Sequence, residues 1–362
     1  MALQAAADTG WTGYSIAERD RRWAAVRKNA ADAGLDCVLV PKGNRLDARY
    51  LTQMVNVGLV MPTDGRAPIV FSDSGIGNEW APEVRLLRQK DRPAWGPGMA
   101  QALIDAGMER GRIGVAGLKV GTVTHARAAD GVVNYSSFAE VLQRLPNATF
   151  VDATDTIGFV RYVKSDDEIA CLRRAVAISE AGIEEMIEVA RPGVDEAVLY
   201  GRVTGRLMEL GSEHYNRARS DWTASGWALV TGPLDGKHTR FVEPPIGRRL
   251  QQGSFITNEV SAIWGAMVAQ EVQPILLGPI PDHWKPLIEV QHDLWEAGLG
   301  LLKSGTSFKE LVDFSVSFSK RPGIKTTMTL HGRGIGDDGP LITGRSDNSK
   351  LGDLRLEKNT CW

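Results

Sequence analysis

Four side chains stand where a strand or a glycine-rich turn would hold them within reach of a ligand: His238, Glu259, Gln270 and His331. His238 lies in "TGPLDGKHTRF" and His331 in "LHGRGIGDDGPLIT", both glycine-containing segments beside predicted strands. An imidazole, with an ordinary pKa of roughly 6.5, takes and returns a proton near neutrality. Proton transfer or ligand binding is therefore the chemistry these two positions offer. His214 in "GSEHYN" is a weaker candidate. His125 falls in a polar loop, and His283 and His292 fall in an amphipathic stretch with Trp284 and Trp295, where solvated or packing roles suffice.

Glu259 interrupts the apolar run "FITNEVSAIW", and Gln270 interrupts "AMVAQEVQP". The inward phase of a half-buried strand should not carry a carboxylate without a partner. Two readings follow: the outward face of an antiparallel sheet, or one polar site shared by successive strands and the two glycine-flanked histidines. Gly332, Gly334 and Gly336 do not make a phosphate cradle. Such a loop follows a strand and opens a helix, whereas "DDGPLITGRSDN" opens none and its two aspartates would repel phosphate.

The elements that must position these residues fall into two sets. Ser15 and Glu18 form a capping-box pattern before "RRWAAVRKNAADAG", with Trp23, Val26 and Ala30 at helical spacing and Gly34 as the stop. Strands at "DCVLVP", "APIVFS", "RIGVAG" and "TFVDA" alternate with helices at "GMAQALIDAGMERG" and "SFAEVLQRL". This predicts a small α/β domain over residues 1–155. "ATDTIGFVRYVKSDDE" reads as turn formers leading to a second capping box, Ser165 with Glu168, that opens a helix through Ala190. After "RPGVD" come a helix at "EAVLYGRVTGRLMELG" and strands at "WALVTG", "FITNEVSAIW" and "AMVAQEVQPILLG". Helices at "HWKPLIEVQHDLWEAGLGLLKSG" and, from Ser307 and Glu310, "FKELVDFSVSF" follow, so residues 156–362 predict an α+β domain.

Composition excludes several classes of function. The net charge of the 362 residues is −2 and basic residues are interspersed with acids, so no single-sign face is offered to nucleic acid. Cys37, Cys171 and Cys361 are far apart and unpaired in spacing, which argues against disulfides and zinc knuckles and for a reducing, cytoplasmic setting. No uninterrupted apolar run reaches the ~18 residues of a membrane span.

In order, these pieces resemble the creatinase, prolidase and aminopeptidase P superfamily, whose catalytic domain has the pita-bread fold. "RRWAAVRKNAADAGLDCVLVPKGNRLDARYLTQ" resembles the start of its N-terminal domain. "VRYVKSDDEIACLRRAVAISEAGI" and "RPGVDE" resemble the opening of its catalytic domain. The resemblance implies a pita-bread domain over 156–362 preceded by a creatinase-type domain, and a homodimer. It also implies that this chain stops short of the family's last strands.

Metal-dependent members hold two divalent cations with two aspartates, one histidine and two glutamates. The resemblance places Glu259 at the first aspartate, Gln270 at the second and His331 at the histidine. Gly339 stands where the first glutamate belongs, with Asp338 one position early, and the last glutamate belongs beyond Trp362. A carboxamide supplies no bridging charge for two hard dications, so no two-metal site is expected. Divalent manganese, cobalt or zinc, held singly by Glu259, His331 and Asp338 or completed by residues past Trp362, is the alternative.

Creatinase-like members work without metal and share the glutamate. In them a histidine just upstream of the strand is catalytic, and "TGPLDGKH" resembles that segment, ending at His238. The resemblance therefore implies His238 as acid and base and Glu259 as its catalytic companion, with Gln270, His331 and Arg333 binding substrate. Arg333 has a second reading, as a structural clamp on Asp337 or Asp338. The implied activity is hydrolysis of a C–N bond in a small amide, amidine or dipeptide-like substrate. A metal-dependent Xaa-Pro peptidase and a catalytically silent binding protein are the competing readings.

Overall fold

The computed structural model describes residues 13–87, 95–124, 131–213, 248–319, 329–343, 351 and 353–362, and the backbone of 227–233. The chain forms two compact units, one from residues 13–167, Leu330–Leu341 and Asn359–Trp362, the other from Glu168–Thr329 and Ile342–Lys358. The expected boundary at 155/156 falls inside the first of them.

The first unit is built on a six-stranded sheet: β1 (Cys37–Val40), β2 (Val57–Pro62), β3 (Ile69–Ser72), β4 (Val84–Leu86), β5 (Arg112–Val115) and β6 (Thr149–Asp152). Their order is β4-β3-β2-β1-β5-β6, antiparallel at β1/β2 and β2/β3 and parallel elsewhere. Cys37 and Leu39 on β1 and Ile113 and Val115 on β5 meet Met99, Ala100 and Leu103 of α3 (Trp95–Asp105) and Val141 of α4 (Tyr135–Arg144) in one core. Burial pushes the Cys37 thiol up to about 12, helped by Asp36, so this cysteine is an inert packing group.

Helix α1 (Ile16–Asp32) starts as its sequence predicts, with the Ser15 side chain accepting from the Glu18 N–H, and the chain leaves it through Gly34 at φ +66°. Its Arg22 is almost fully buried, donating to Glu18 and to the Tyr50 carbonyl while its guanidinium lies over the rings of Tyr14, Tyr50 and Trp80. Helix α2 (Arg45–Thr52) is capped by Asn44, which accepts from the Asp47 N–H.

The stretch expected as a turn contains α5 (Thr154–Tyr162) instead. Thr, Gly and β-branched residues make "TDTIGFVRY" a weak helix by propensity. Burial of Ile157, Val160, Arg161 and Tyr162 on one face outweighs that preference.

In the second unit, α6 (Asp166–Val189) and α7 (Glu196–Glu209) pack on an antiparallel sheet of β7 (Trp227–Pro233), β8 (Ser254–Trp264), β9 (Met267–Glu271) and β10 (Ile275–Leu276). Ile178, Met186, Leu199 and Val203 of the helices meet Ile256, Val260 and Ala262 of β8. Even-numbered residues of β8 therefore face the helices, and odd-numbered ones face away. Helix α8 (Lys285–Leu301) follows, then α9 (Phe308–Ser319), whose capping box forms as expected: Glu310 accepts from the Ser307 N–H and hydroxyl at 2.7 Å. No described helix is long and apolar enough to cross a membrane.

Candidate active site

His238 lies outside the described residues, as do His125 and His214. The exposed His292 sits on α8, and His283 belongs to the single 3-10 turn before it.

Glu259 stands on the odd-numbered side of β8, turned away from the helices, and not in the inward phase that its apolar neighbours suggested. Register explains its partner. Ser261 is paired directly with Gln270 across β8 and β9, so Glu259 is Gln270's diagonal neighbour on the same face. The Gln270 carboxamide donates from Nε2 to Glu259 Oε2 at 3.0 Å. Two polar residues that sequence order only suggested as partners are thus in contact on the face the helices leave open.

The neighbour of Gln270 was missed. Glu271 has the opposite phase, opposite Val260, whose carbonyl accepts from Ser179 of α6. Burial pushes its carboxyl up to about 7, Glu180 adds to the rise, and Ser179 opposes it. The alternation of β9 was the available signal: once Gln270 is placed on the open face, Glu271 must point toward the helices.

In the first unit, Leu330–Leu341 is folded around one carboxylate. Asp338 is nearly fully buried and accepts from a guanidinium nitrogen of Arg161 and, at 2.9 Å, from the Ile335 N–H. Arg161 donates its other terminal nitrogen to Asp47, so one buried guanidinium ties α2, α5 and this segment together. Burial alone would lower the Arg161 pKa; Asp338 and Asp47 outweigh it and hold the side chain charged. Lys164 Nζ donates to the Asp338 carbonyl at 3.4 Å.

The glycines follow from this arrangement. A Cβ on Gly332 would strike the Asp338 carbonyl, one on Gly334 the Asp338 carboxylate, and one on Gly339 the backbone of Gly332. They serve close packing around Asp338.

His331 precedes that knot, with its side chain 17% exposed and Nδ1 3.6 Å from Asp337 Oδ1. The same oxygen accepts from an Arg333 terminal nitrogen at 2.8 Å. Of the two partners the sequence left open for Arg333, Asp337 takes the guanidinium, and Asp338 is committed to Arg161. The Arg333 side chain is 8% exposed where it holds Asp337. The Arg333 N–H also donates to the Cys361 carbonyl at 2.9 Å, and Lys164 N–H donates to Asn359 at 3.0 Å, so the last residues are stitched to the same unit.

Comparison with known proteins gives this geometry a family. The model of metallopeptidase family M24 matches residues 170–361, more than half of the chain. The chain belongs to family M24. Among M24-type structures, the X-Pro aminopeptidase of Thermotoga maritima superposes with a TM-score of 0.70, covering 94% of this chain and 87% of that one at 17% identity. The Xaa-Pro dipeptidase of Bacillus anthracis gives 0.68, with 94% and 88% covered, also at 17% identity. These likenesses establish the pita-bread fold expected from the sequence.

Among curated M24 relatives, the hydrolase/peptidase y4tL of Sinorhizobium fredii is 28% identical over 184 residues, 51% of this chain and 45% of that protein. The creatinase of a Bacillus species is 24% identical over 311 residues, 81% and 68% of the two. The chain thus spans under half the length of y4tL.

The donors at the matched positions do not suit a pair of dications. Gln270 is neutral and spends an N–H on Glu259. The Asp338 oxygens are taken by Arg161 and Ile335, and the glycine at 339 has no side chain. Two hard cations need several free anionic oxygens at one point. Among the described residues, no three acidic, histidine or cysteine side chains converge as such a group.

Proposed function

We propose that this M24 protein hydrolyses a C–N bond in a small amide, amidine or dipeptide-like substrate without a two-metal centre. The observation that carries the reading is the Gln270–Glu259 hydrogen bond, between a carboxamide and a carboxylate at the two positions that the family resemblance gives to aspartates. His238 is assigned the proton transfers: it takes a proton from attacking water and returns it to the departing nitrogen. The Glu259 carboxylate, fixed by Gln270, orients a cationic amine or amidine. The sequence likeness to a creatinase over 81% of the chain favours this reading over a metal-dependent Xaa-Pro peptidase.

The chain is further proposed to act as a cytoplasmic homodimer. Support for the dimer comes from α8, none of whose residues is buried and which exposes Leu287, Ile288, Trp295 and Leu299.

The test is hydrolysis of creatine and of Ala-Pro by protein passed through a chelating resin, with metal content measured on the same sample. Turnover unchanged by chelation, and lowered about 10²–10⁴-fold in His238→Ala, is the expected result. Turnover that appears only with manganese, cobalt or zinc would establish the metal-dependent alternative. Sedimentation of the same sample reads the dimer.

A further inference from the structure

Beyond Gln270, the chain places one more side chain beside Glu259. Val260 of β8 is paired with Glu271 of β9, and Ile256 of β8 with Ile275 of β10. Four positions separate these pairs on either side, so the register runs through the gap and sets Val272 directly opposite Glu259. Alternation turns Val272 to the face of Gln270 and Glu259, away from the helices. Val272 is 58% exposed. Toward the hairpin end of the same face, Ile263 and Val268 are fully buried, so this face opens to solvent in the direction of Val272.

Asn258 holds the gap. Almost fully buried, its carboxamide donates from Nδ2 to the Gln273 carbonyl at 2.6 Å and accepts from the Gln273 N–H at 3.2 Å. A side-chain amide thus takes the place of a backbone pair, which keeps this segment further from β8 than a regular ladder would. Pro274, with no N–H to offer the ladder, follows at once. The result is an apolar side chain presented to solvent on a pinned segment, next to a carboxylate on the same face.

We propose that Val272 is a specificity-determining residue that takes an apolar substituent on the cationic nitrogen oriented by Glu259. The ligand class that fits both groups is an alkyl-substituted ammonium or amidinium, its charge toward Glu259 and its carbons over Val272. An unsubstituted cation satisfies the carboxylate alone, and a second charged group at this position would meet a methyl surface that cannot solvate it. The assignment rests on the reading of Glu259 given above, whereas recognition of the alkyl group can be read by binding with no turnover.

The experiment is titration calorimetry of full-length protein with guanidine, ethylguanidine and propylguanidine. In the wild type each added methylene should tighten Kd about threefold, somewhat less than full burial of a CH₂ would give. Val272→Thr keeps the shape and the strand preference of the residue while replacing a methyl with a hydroxyl, and should abolish most of that gradient. Glu259→Gln should weaken all three ligands by a similar factor of about ten and leave the gradient in place. Absence of a gradient in the wild type, failure of all three probes to bind, or a gradient unchanged in Val272→Thr would overturn the assignment. A wild type that shows the gradient but hydrolyses neither creatine nor Ala-Pro defeats the hydrolase reading and supports this one.

Discussion

Arg161 and Asp338, 177 positions apart in the chain, form an ion pair whose side chains are 0% and 2% exposed. A second carboxylate, Asp47, holds the other nitrogen of the same guanidinium. Removing the shared cation strands two buried anions. Arg161→Met is expected to cost about 3–5 kcal/mol, whereas Asp338→Asn costs less because Arg161 keeps Asp47. Urea unfolding followed by Trp fluorescence measures both; equal losses would show that the triad does not act as a unit.

Gly332 and Gly334 bear on the same carboxylate. Alanine at either position puts a methyl group into Asp338, and at Gly332 the obstacle is a backbone carbonyl that cannot rotate aside. Gly332→Ala should destabilise by about 2–4 kcal/mol and displace the adjacent His331. A crystal structure of that variant with an unmoved imidazole would contradict the mechanical link.

Glu271 makes the stability of the second unit depend on pH. Its folded carboxyl titrates at about 7, against 4.5 for the free side chain, so folding favours the protonated form. The sign follows: the contribution is complete below about pH 4.5 and is lost as pH rises through 7. Partial exposure screens the effect, leaving roughly 1–2 kcal/mol. Glu271→Gln should therefore stabilise the protein at pH 8 and make no difference at pH 4. Thermal unfolding of both proteins across that range checks it, and a pH-independent difference would rule the titration out.

Gln270→Asp puts a second carboxylate beside Glu259. Like charges at hydrogen-bond distance disfavour ionisation of one of them, so the variant should lose about 1–2 kcal/mol at pH 8 and recover it near pH 5. Glu259→Gln in the same background should restore stability at both values. A double-mutant cycle read by unfolding isolates the pair.

Much of the scaffold was legible in the sequence because it is written in local signals. The Ser15 cap, the Ser307 and Glu310 box and the strands at Cys37–Val40 and Ser254–Trp264 all form where periodicity and turn chemistry put them. Helix α5 was not legible, since its propensity is weak and its stability comes from packing. The contacts that define the site were legible only in part. Period-two alternation brought Glu259 and Gln270 to one face, but no local rule could say that Arg161 takes Asp338 and leaves Asp337 to Arg333. The two pairings of Arg161 depend on chain crossings of 114 and 177 positions.

Those crossings also set an order of events during synthesis. The unit that contains the N-terminal sheet takes its last layer from residues 330–341 and its final stitches from Asn359 and Cys361. As the chain leaves the ribosome, the sheet emerges long before Asp338 does, and Arg161 must wait with one carboxylate instead of two. Completion of the first unit is therefore delayed until residues 330–361 have emerged, closed by contacts of high sequence separation that form slowly. Nascent chains halted before residue 330 should carry a protease-sensitive N-terminal half that becomes resistant only once residues 330–361 are available.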